Sequence, residues 1–183
     1  MTERSQVRAI AEAASVPLLG FAAFSGSGKT TLLTQLIPLL KANALRVGLI
    51  KHSHHNFEID QPGKDSHRLR LAGASPVMLV SSHRRATITE YPQPVEPILA
   101  EQLAHIDQRQ LDLLLVEGFK QEPFPKIEVH RPSLNRPLLF PGDPNIIAIA
   151  CDAPINKPRP IIQLDLNQPA AIVDFILNDF LNR

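Results

Sequence analysis

Residues 18–31 read Leu18-Leu19-Gly20-Phe21-Ala22-Ala23-Phe24-Ser25-Gly26-Ser27-Gly28-Lys29-Thr30-Thr31. The first seven are apolar or glycine without alternation, the pattern of a strand buried on both faces of a sheet. After Lys29, the residues Leu33, Leu36, Ile37 and Leu40 fall on one stripe of a helix running to about Ala42. Pro38 lies inside that stripe and removes a backbone donor, so a bend is expected there. Strand, glycine loop, Lys-Thr and helix together make a phosphate-binding loop of the form G-x-x-x-x-G-K-[ST], with Ala23 at the first glycine position. Gly26 and Gly28 allow backbone angles closed to other residues, so successive N–H groups can turn inward onto phosphate oxygens at a helix N-terminus. Ser25 and Ser27 complete the loop. Lys29 supplies a point charge for the outer phosphates, and Thr30 a hydroxyl for Mg²⁺. The alternative is a glycine turn that merely precedes a helix; the agreement of all four parts argues against it.

Working outward, strands are expected at 46–50, 77–80, 86–90, 111–116, 126–130, 146–150 and 161–166, separated by helices at 5–14, 65–72, 94–105 and from Pro169 onward. Of these, Leu111 to Val116 is solidly apolar, whereas Lys126 to His130 alternates. Strands alternating with helices predict an α/β fold with a mostly parallel central sheet flanked by helices on both faces. Residues 1–16 are expected to form an N-terminal extension, and 17–183 a single nucleotide-binding domain.

The 183 residues carry 19 Lys plus Arg against 18 Asp plus Glu, a formal charge of +1. That balance lacks the basic footprint of a general nucleic-acid binder. The single cysteine, Cys151, excludes an intramolecular disulfide and a multi-cysteine zinc site. The apolar runs are far shorter than the roughly 18 residues that span a bilayer. The first residues show no apolar core of a secretory signal. A cytoplasmic protein without nucleic-acid or membrane partners is therefore expected.

The second half of a phosphate-loop site is an acid at the end of an apolar strand. Leu113-Leu114-Leu115-Val116-Glu117-Gly118 has that form. Glu117 would join Thr30 at the metal, and Gly118 would let an N–H approach the terminal phosphate. The bland alternative is a strand-end glutamate facing solvent.

Ligands in open α/β sheets sit at the carboxyl ends of strands. On that ground Lys51 and His55, from the run Lys51-His52-Ser53-His54-His55, are candidates for an anion pocket. The three histidines lie too close together to close a zinc tetrahedron unaided, though His67 or Asp60 could complete one. A solvated polar loop is the plainer reading. Lys64, Asp65 and Arg68 in Pro62-Gly63-Lys64-Asp65-Ser66-His67-Arg68 cluster on the first turn of a short helix. Asp65 there either caps that helix, binds Mg²⁺ or holds Lys29. Asn156-Lys157-Pro158-Arg159 lacks the acid of a guanine-reading Asn-Lys-x-Asp motif, so Asp152, beyond the strand ending at Ala150, is the better-placed candidate for the base.

The strings GFAAFSGSGKTTLL, VGLIKHSHH, PGKDSHRLRLAGA and LDLLLVEGFK resemble the molybdopterin-guanine dinucleotide biosynthesis adaptor (MobB) family, most distinctly from Leu18 to Lys120. The resemblance implies a phosphate-loop α/β fold of the SIMIBI class and a homodimer. It implies binding of GTP and Mg²⁺, with weak GTPase activity at most. It also implies an adaptor role beside the guanylyltransferase that joins GMP to molybdopterin, with molybdopterin itself a further candidate ligand. Carried over by position, residues Gly26 to Thr31 hold phosphates and Thr30 with Glu117 holds Mg²⁺. Lys51, His55, Lys64, Asp65 and Arg68 shape the adjoining anion pocket. Residues 1–16 and the Pro-rich loop 132–144 depart from the family pattern. Two other classes compete. A nickel-insertion type of metallochaperone GTPase would explain the histidines, but the chain has no Cys-x-His pair. A small-molecule kinase needs an arginine-dense lid, and the Pro-rich loop offers only Arg131 and Arg136.

Overall fold

The computed structural model describes residues 2–53, 56–156 and 158–182. The chain divides into two compact units, one of residues 1–52 and 98–183 and the other of residues 53–97.

The larger unit is built on six parallel strands: β1 (Leu18–Ala22), β2 (Val47–Lys51), β5 (Leu113–Glu117), β6 (Lys126–His130), β7 (Ile146–Cys151) and β8 (Ile162–Asp165). They lie in the order β2-β5-β1-β6-β7-β8. The most apolar strands, β1 and β5, are buried along their whole length at the centre. One face of the sheet is covered by α2 (Lys29–Ala42) and α5 (Pro169–Phe175), which runs on as a π-helical turn at Ile176–Phe180. Leu32, Leu33, Leu36 and Leu40 of α2 meet Leu19, Phe21, Leu115 and Ile127 of the sheet, with Ile172 and Ile176 of α5 in the same core. Helix α2 continues through Pro38 to Ala42.

The opposite face is covered by two different devices. Over β1 and β5 lie α1 (Glu3–Ala13) and α4 (Leu99–Leu103), where Ile10, Leu99 and Leu103 pack against Leu18, Leu114 and Val116. Residues assigned by sequence to an N-terminal extension thus contribute Ile10 to a core. Over β7 the cover is not a helix but the Pro-rich loop, with Phe140 buried against Ile146 and Ile149. The helix expected over 94–105 is only five residues long. Pro92, Pro94 and Pro97 each push the preceding residue toward extended backbone, so helix begins only beyond the last of them.

Strand β6 departs most from its sequence pattern. Its residues alternate apolar and charged, a pattern that commonly leaves one face wet, yet all five are buried. Ile127 and Val129 enter the α2–α5 core. Lys126 and Glu128, each 1% exposed, are tied to the Pro-rich loop. Lys126 Nζ lies 2.8 Å from Asp143 Oδ2 and donates to the Glu122 carbonyl at 2.7 Å. The Glu128 carboxylate accepts the backbone N–H groups of Leu139 and Phe140 at 2.9 and 2.8 Å. Burial raises the Glu128 carboxyl above its ordinary value, and those two N–H donors oppose the shift.

The smaller unit holds α3 (Asp65–Leu71) and an antiparallel pair, β3 (Val77–Val80) with β4 (Arg85–Ile88). Arg70 anchors it, with ion pairs to Glu58, Asp60 and Glu90. No helix among the described residues is long and apolar enough to cross a membrane.

Candidate functional site

The parallel register brings three strand ends together. Glu117, the last residue of β5, stands opposite Phe21 of β1 on one side and Lys51 of β2 on the other. The loop of residues 23–28 leaves β1 at this level and enters α2. Gly28 caps that helix at φ +89°, a left-handed angle that a side chain rarely adopts, and Gly26 has φ +79°. The Gly28 carbonyl accepts the first intrahelical bond from Leu32 N at 2.9 Å. Ser27 is buried, whereas Ser25, Gly26, Thr30 and Thr31 are exposed and open to a ligand.

Lys29 folds back over the loop, its Nζ 3.4 Å from the carbonyls of both Ala23 and Phe24. Burial lowers its pKa from the ordinary lysine value; the nearby charges of Lys120 and Lys51 lower it further, and Glu117 opposes them. Lys51 Nζ sits 3.2 Å from Glu117 Oε2. The Phe24 ring is flanked by Lys120 at 5.5 Å and by Arg136 at 5.8 Å. Cations therefore gather around a loop shaped to present backbone donors.

Gly118 follows the acid at φ +99°. A Cβ there would come within 2.6 Å of His52 Cβ. His52 is held in place: its N–H donates to the Glu117 carbonyl at 2.8 Å, and its ring lies 4.9 Å from that of Phe119.

Asp152, expected at the base, stands just beyond β7. Its Oδ2 is 2.5 Å from a terminal guanidinium nitrogen of Arg131, whose Nε donates to the Ser27 carbonyl at 3.2 Å. Next to it, residues 151–154 and 163–165 line an open hollow of about 370 Å³ at the carboxyl ends of β7 and β8. Arg131 is the site residue that sequence reasoning passed over, having placed it only among possible lid arginines. Its position before Pro132, directly after a strand, is the one local signal it carries.

Of the proposed anion-pocket residues, Lys51 is at the site. His54 and His55 lie outside the described residues. Lys64, Asp65 and Arg68 belong to the smaller unit. There, Lys64 is the residue before the first turn of α3, and Asp65 pairs with Arg68 at 3.8 Å on an exposed surface.

Thr30 and Glu117 are hard oxygen donors. Among the described residues no group of three or more His, Cys, Asp or Glu is placed to hold a metal ion. A hydroxyl and one carboxylate suit Mg²⁺, which takes most of its ligands from phosphates and water rather than from an all-protein cage.

A parallel sheet with a glycine loop between its central strand and a helix defines a phosphate-loop α/β protein. The model of the family described as "Molybdopterin guanine dinucleotide synthesis protein B" (MobB) matches residues 18–152, and the chain belongs to that family. A molybdopterin-guanine dinucleotide biosynthesis adapter protein of Haemophilus influenzae is 49% identical over 165 residues, covering 89% of each chain. The Escherichia coli adapter protein of that name is 45% identical over 163 residues, covering 88% of this chain and 92% of its own. A crystal structure of molybdopterin-guanine biosynthesis protein B superposes with a TM-score of 0.66 at 26% identity, over 91% of this chain and 99% of that one. A MobB homolog from Bacillus stearothermophilus shares the fold with a TM-score of 0.65 at 23% identity, over 91% and 99% of the two chains.

Proposed function

We propose that the chain serves molybdopterin-guanine dinucleotide biosynthesis as an adapter that binds GTP with Mg²⁺ and assists the molybdenum cofactor guanylyltransferase, which joins GMP to molybdopterin. The observation that carries the reading is the phosphate loop of β1 standing in register with Glu117 of β5, in a chain of this family. In it, the amides of residues 26–31 receive phosphate oxygens and Lys29 leaves the loop carbonyls for the outer phosphates. Thr30 and Glu117 would hold the Mg²⁺, which would neutralise phosphate charge, and Lys51, 3.2 Å from Glu117, would face the same anion. Fast hydrolysis needs a positioned water and an added cation at the transition state. We assign neither to this chain, so GTPase activity is weak at most. The protein acts in the cytoplasm as a homodimer, with molybdopterin a candidate second ligand.

The test is calorimetric titration with GTP and with ATP, each with Mg²⁺, repeated with the guanylyltransferase present. Selective GTP binding, slow turnover and increased dinucleotide formation are expected. Equal affinity for ATP, or no effect on the guanylyltransferase, would overturn the assignment.

A further inference from the structure

A loop that turns its N–H groups inward must turn carbonyls outward, and a buried outward carbonyl needs a donor. Ser27 is 3% exposed and sits at the centre of this loop. Its carbonyl takes its hydrogen bond from Arg131 Nε at 3.2 Å. The topology explains why Arg131 can reach: β6 lies between β1, which delivers the loop, and β7, which delivers Asp152. Arg131 is the first residue past β6, and Pro132 after it disfavours helical backbone at that position. The observed φ −122° and ψ 110° are extended. The guanidinium thus spans from the phosphate loop to Asp152 with its planar fork, one edge on each.

This arrangement bears on Asp152. A carboxylate that reads guanine accepts from N1–H and N2–H₂ with both oxygens. Here Oδ2 already accepts a charge-assisted bond from Arg131 at 2.5 Å, so the carboxylate is oriented by the guanidinium. We propose that Arg131 and Asp152 form a brace on the phosphate loop, in which Arg131 is a positioning residue for the loop amides and Asp152 anchors Arg131 instead of selecting the base. The inference deepens the nucleotide-binding reading and rests on it for its consequence, although the brace itself exists without nucleotide.

The experiment has two arms. In the first, amide hydrogen exchange of the nucleotide-free protein is followed across residues 24–31 for the wild type, Arg131→Ala, Arg131→Lys, Asp152→Asn and Arg131→Ala/Asp152→Asn. Loss of one charge-assisted bond should speed exchange there by about tenfold in both alanine and asparagine variants. Arg131→Lys should resemble Arg131→Ala, since an ammonium lacks the fork. The double variant should exchange no faster than the singles, and exchange in α5 should stay as in the wild type. In the second arm, affinities for GTP and ATP should fall together in Arg131→Ala, and Asp152→Asn should leave their ratio within about twofold, below the tenfold step that marks one lost specific contact. Unchanged loop exchange in Arg131→Ala overturns the brace. A GTP preference lost in Asp152→Asn but kept in Arg131→Ala overturns the role given to Asp152. A wild type that binds no nucleotide would defeat the proposed function alone, and the exchange arm would still decide the brace.

Discussion

Replacing Gly118 by alanine puts a methyl group where the structure has no room. The backbone there is at φ +99°, and an L-residue held at positive φ costs about 1–2 kcal/mol. The new Cβ would lie 2.6 Å from His52 Cβ and 3.4 Å from His52 N and Cα, whereas carbon atoms in contact prefer about 3.5–4.0 Å. His52 has little freedom to retreat. Its N–H is bonded to the Glu117 carbonyl, and Phe119, with its ring beside the imidazole, is itself buried. Relieving the overlap therefore means separating the ends of β2 and β5, and overpacking of this kind costs about 1–3 kcal/mol. Gly118→Ala should lose about 2–5 kcal/mol from a stability on the order of 5–15 kcal/mol. Gly28→Ala is the control. Its φ is +89°, but its Cβ would meet only the Arg131 side chain at 3.5 Å, an ordinary contact, so it should lose about 1–2 kcal/mol. Urea unfolding followed by circular dichroism reads both. The two differ by the overpacking cost, centred on about 2 kcal/mol, so with a slope of about 2 kcal/mol/M the Gly118→Ala midpoint should fall about 1 M below that of Gly28→Ala. Midpoints within about 0.3 M of each other would show that His52 yields freely and that the overlap argument is wrong.

Four other outcomes follow from the same geometry. Lys29→Ala should leave the thermal midpoint unchanged and weaken GTP binding about tenfold to a hundredfold, the worth of a charge-assisted contact, by calorimetry. In the wild type, Lys29 has a lowered pKa without ligand, and phosphate raises it again; at alkaline pH binding should take up protons, seen as a buffer-dependent enthalpy, and affinity should fall as pH rises. Asp112, bonded to Arg46 through two side-chain contacts and one backbone N–H, is lowered from 3.8 to about 2. Its folded pKa is depressed, so its stabilisation is present above pH 3.8 and fades toward pH 2; the stability gap between wild type and Asp112→Asn should shrink over that window in acid titrations of unfolding. Lys126→Ala should cost about 3–5 kcal/mol in urea unfolding, because it leaves Asp143 and the Glu122 carbonyl without their buried donor.

The central strand, its loop and α2 were legible because their causes are local. An unbroken apolar run, two glycines and a leucine stripe decide backbone and burial within 25 residues. Glu117 was legible for the same reason, as the first charge after Leu113 to Val116. Strand β6 was located with its observed bounds, but the burial of its polar residues was not legible, because its cause is distant. Lys126 and Glu128 look like a wet face until Leu139, Phe140 and Asp143 come back to cover them, and nothing in residues 126–130 announces that return. Helix α4 is shorter than expected because Pro97 lies before the helix, which starts at Leu99, and not in its first turn. Arg131 escaped for a topological reason: its partners Ser27 and Asp152 are 104 and 21 residues away, and only the strand order β1-β6-β7 makes the three meet.

The near-neutral charge of the whole chain also concealed the character of the site. Burial lowers the pKa of Lys29, and the charges of Lys120 and Lys51 beside the loop lower it further, with Glu117 as the opposing charge. Arg131 is neutralised by Asp152 and turned to the Ser27 carbonyl, so it shapes the loop rather than adding to that crowd. The proposed anion site thus has two kinds of cation beside it. Lys29 is held against the charges of Lys51 and Lys120, a repulsion that a bound phosphate would relieve, whereas Arg131 already has Asp152 and the Ser27 carbonyl as partners. Salt should separate them: weakening the lysine contribution by screening exposed charge leaves the part-buried Arg131–Asp152 pair largely untouched. Nucleotide affinity should therefore fall with ionic strength in the wild type and in Arg131→Ala by the same slope, although the two start from different affinities. A shallower slope in Arg131→Ala would mean that Arg131 leaves Asp152 and touches the phosphates itself.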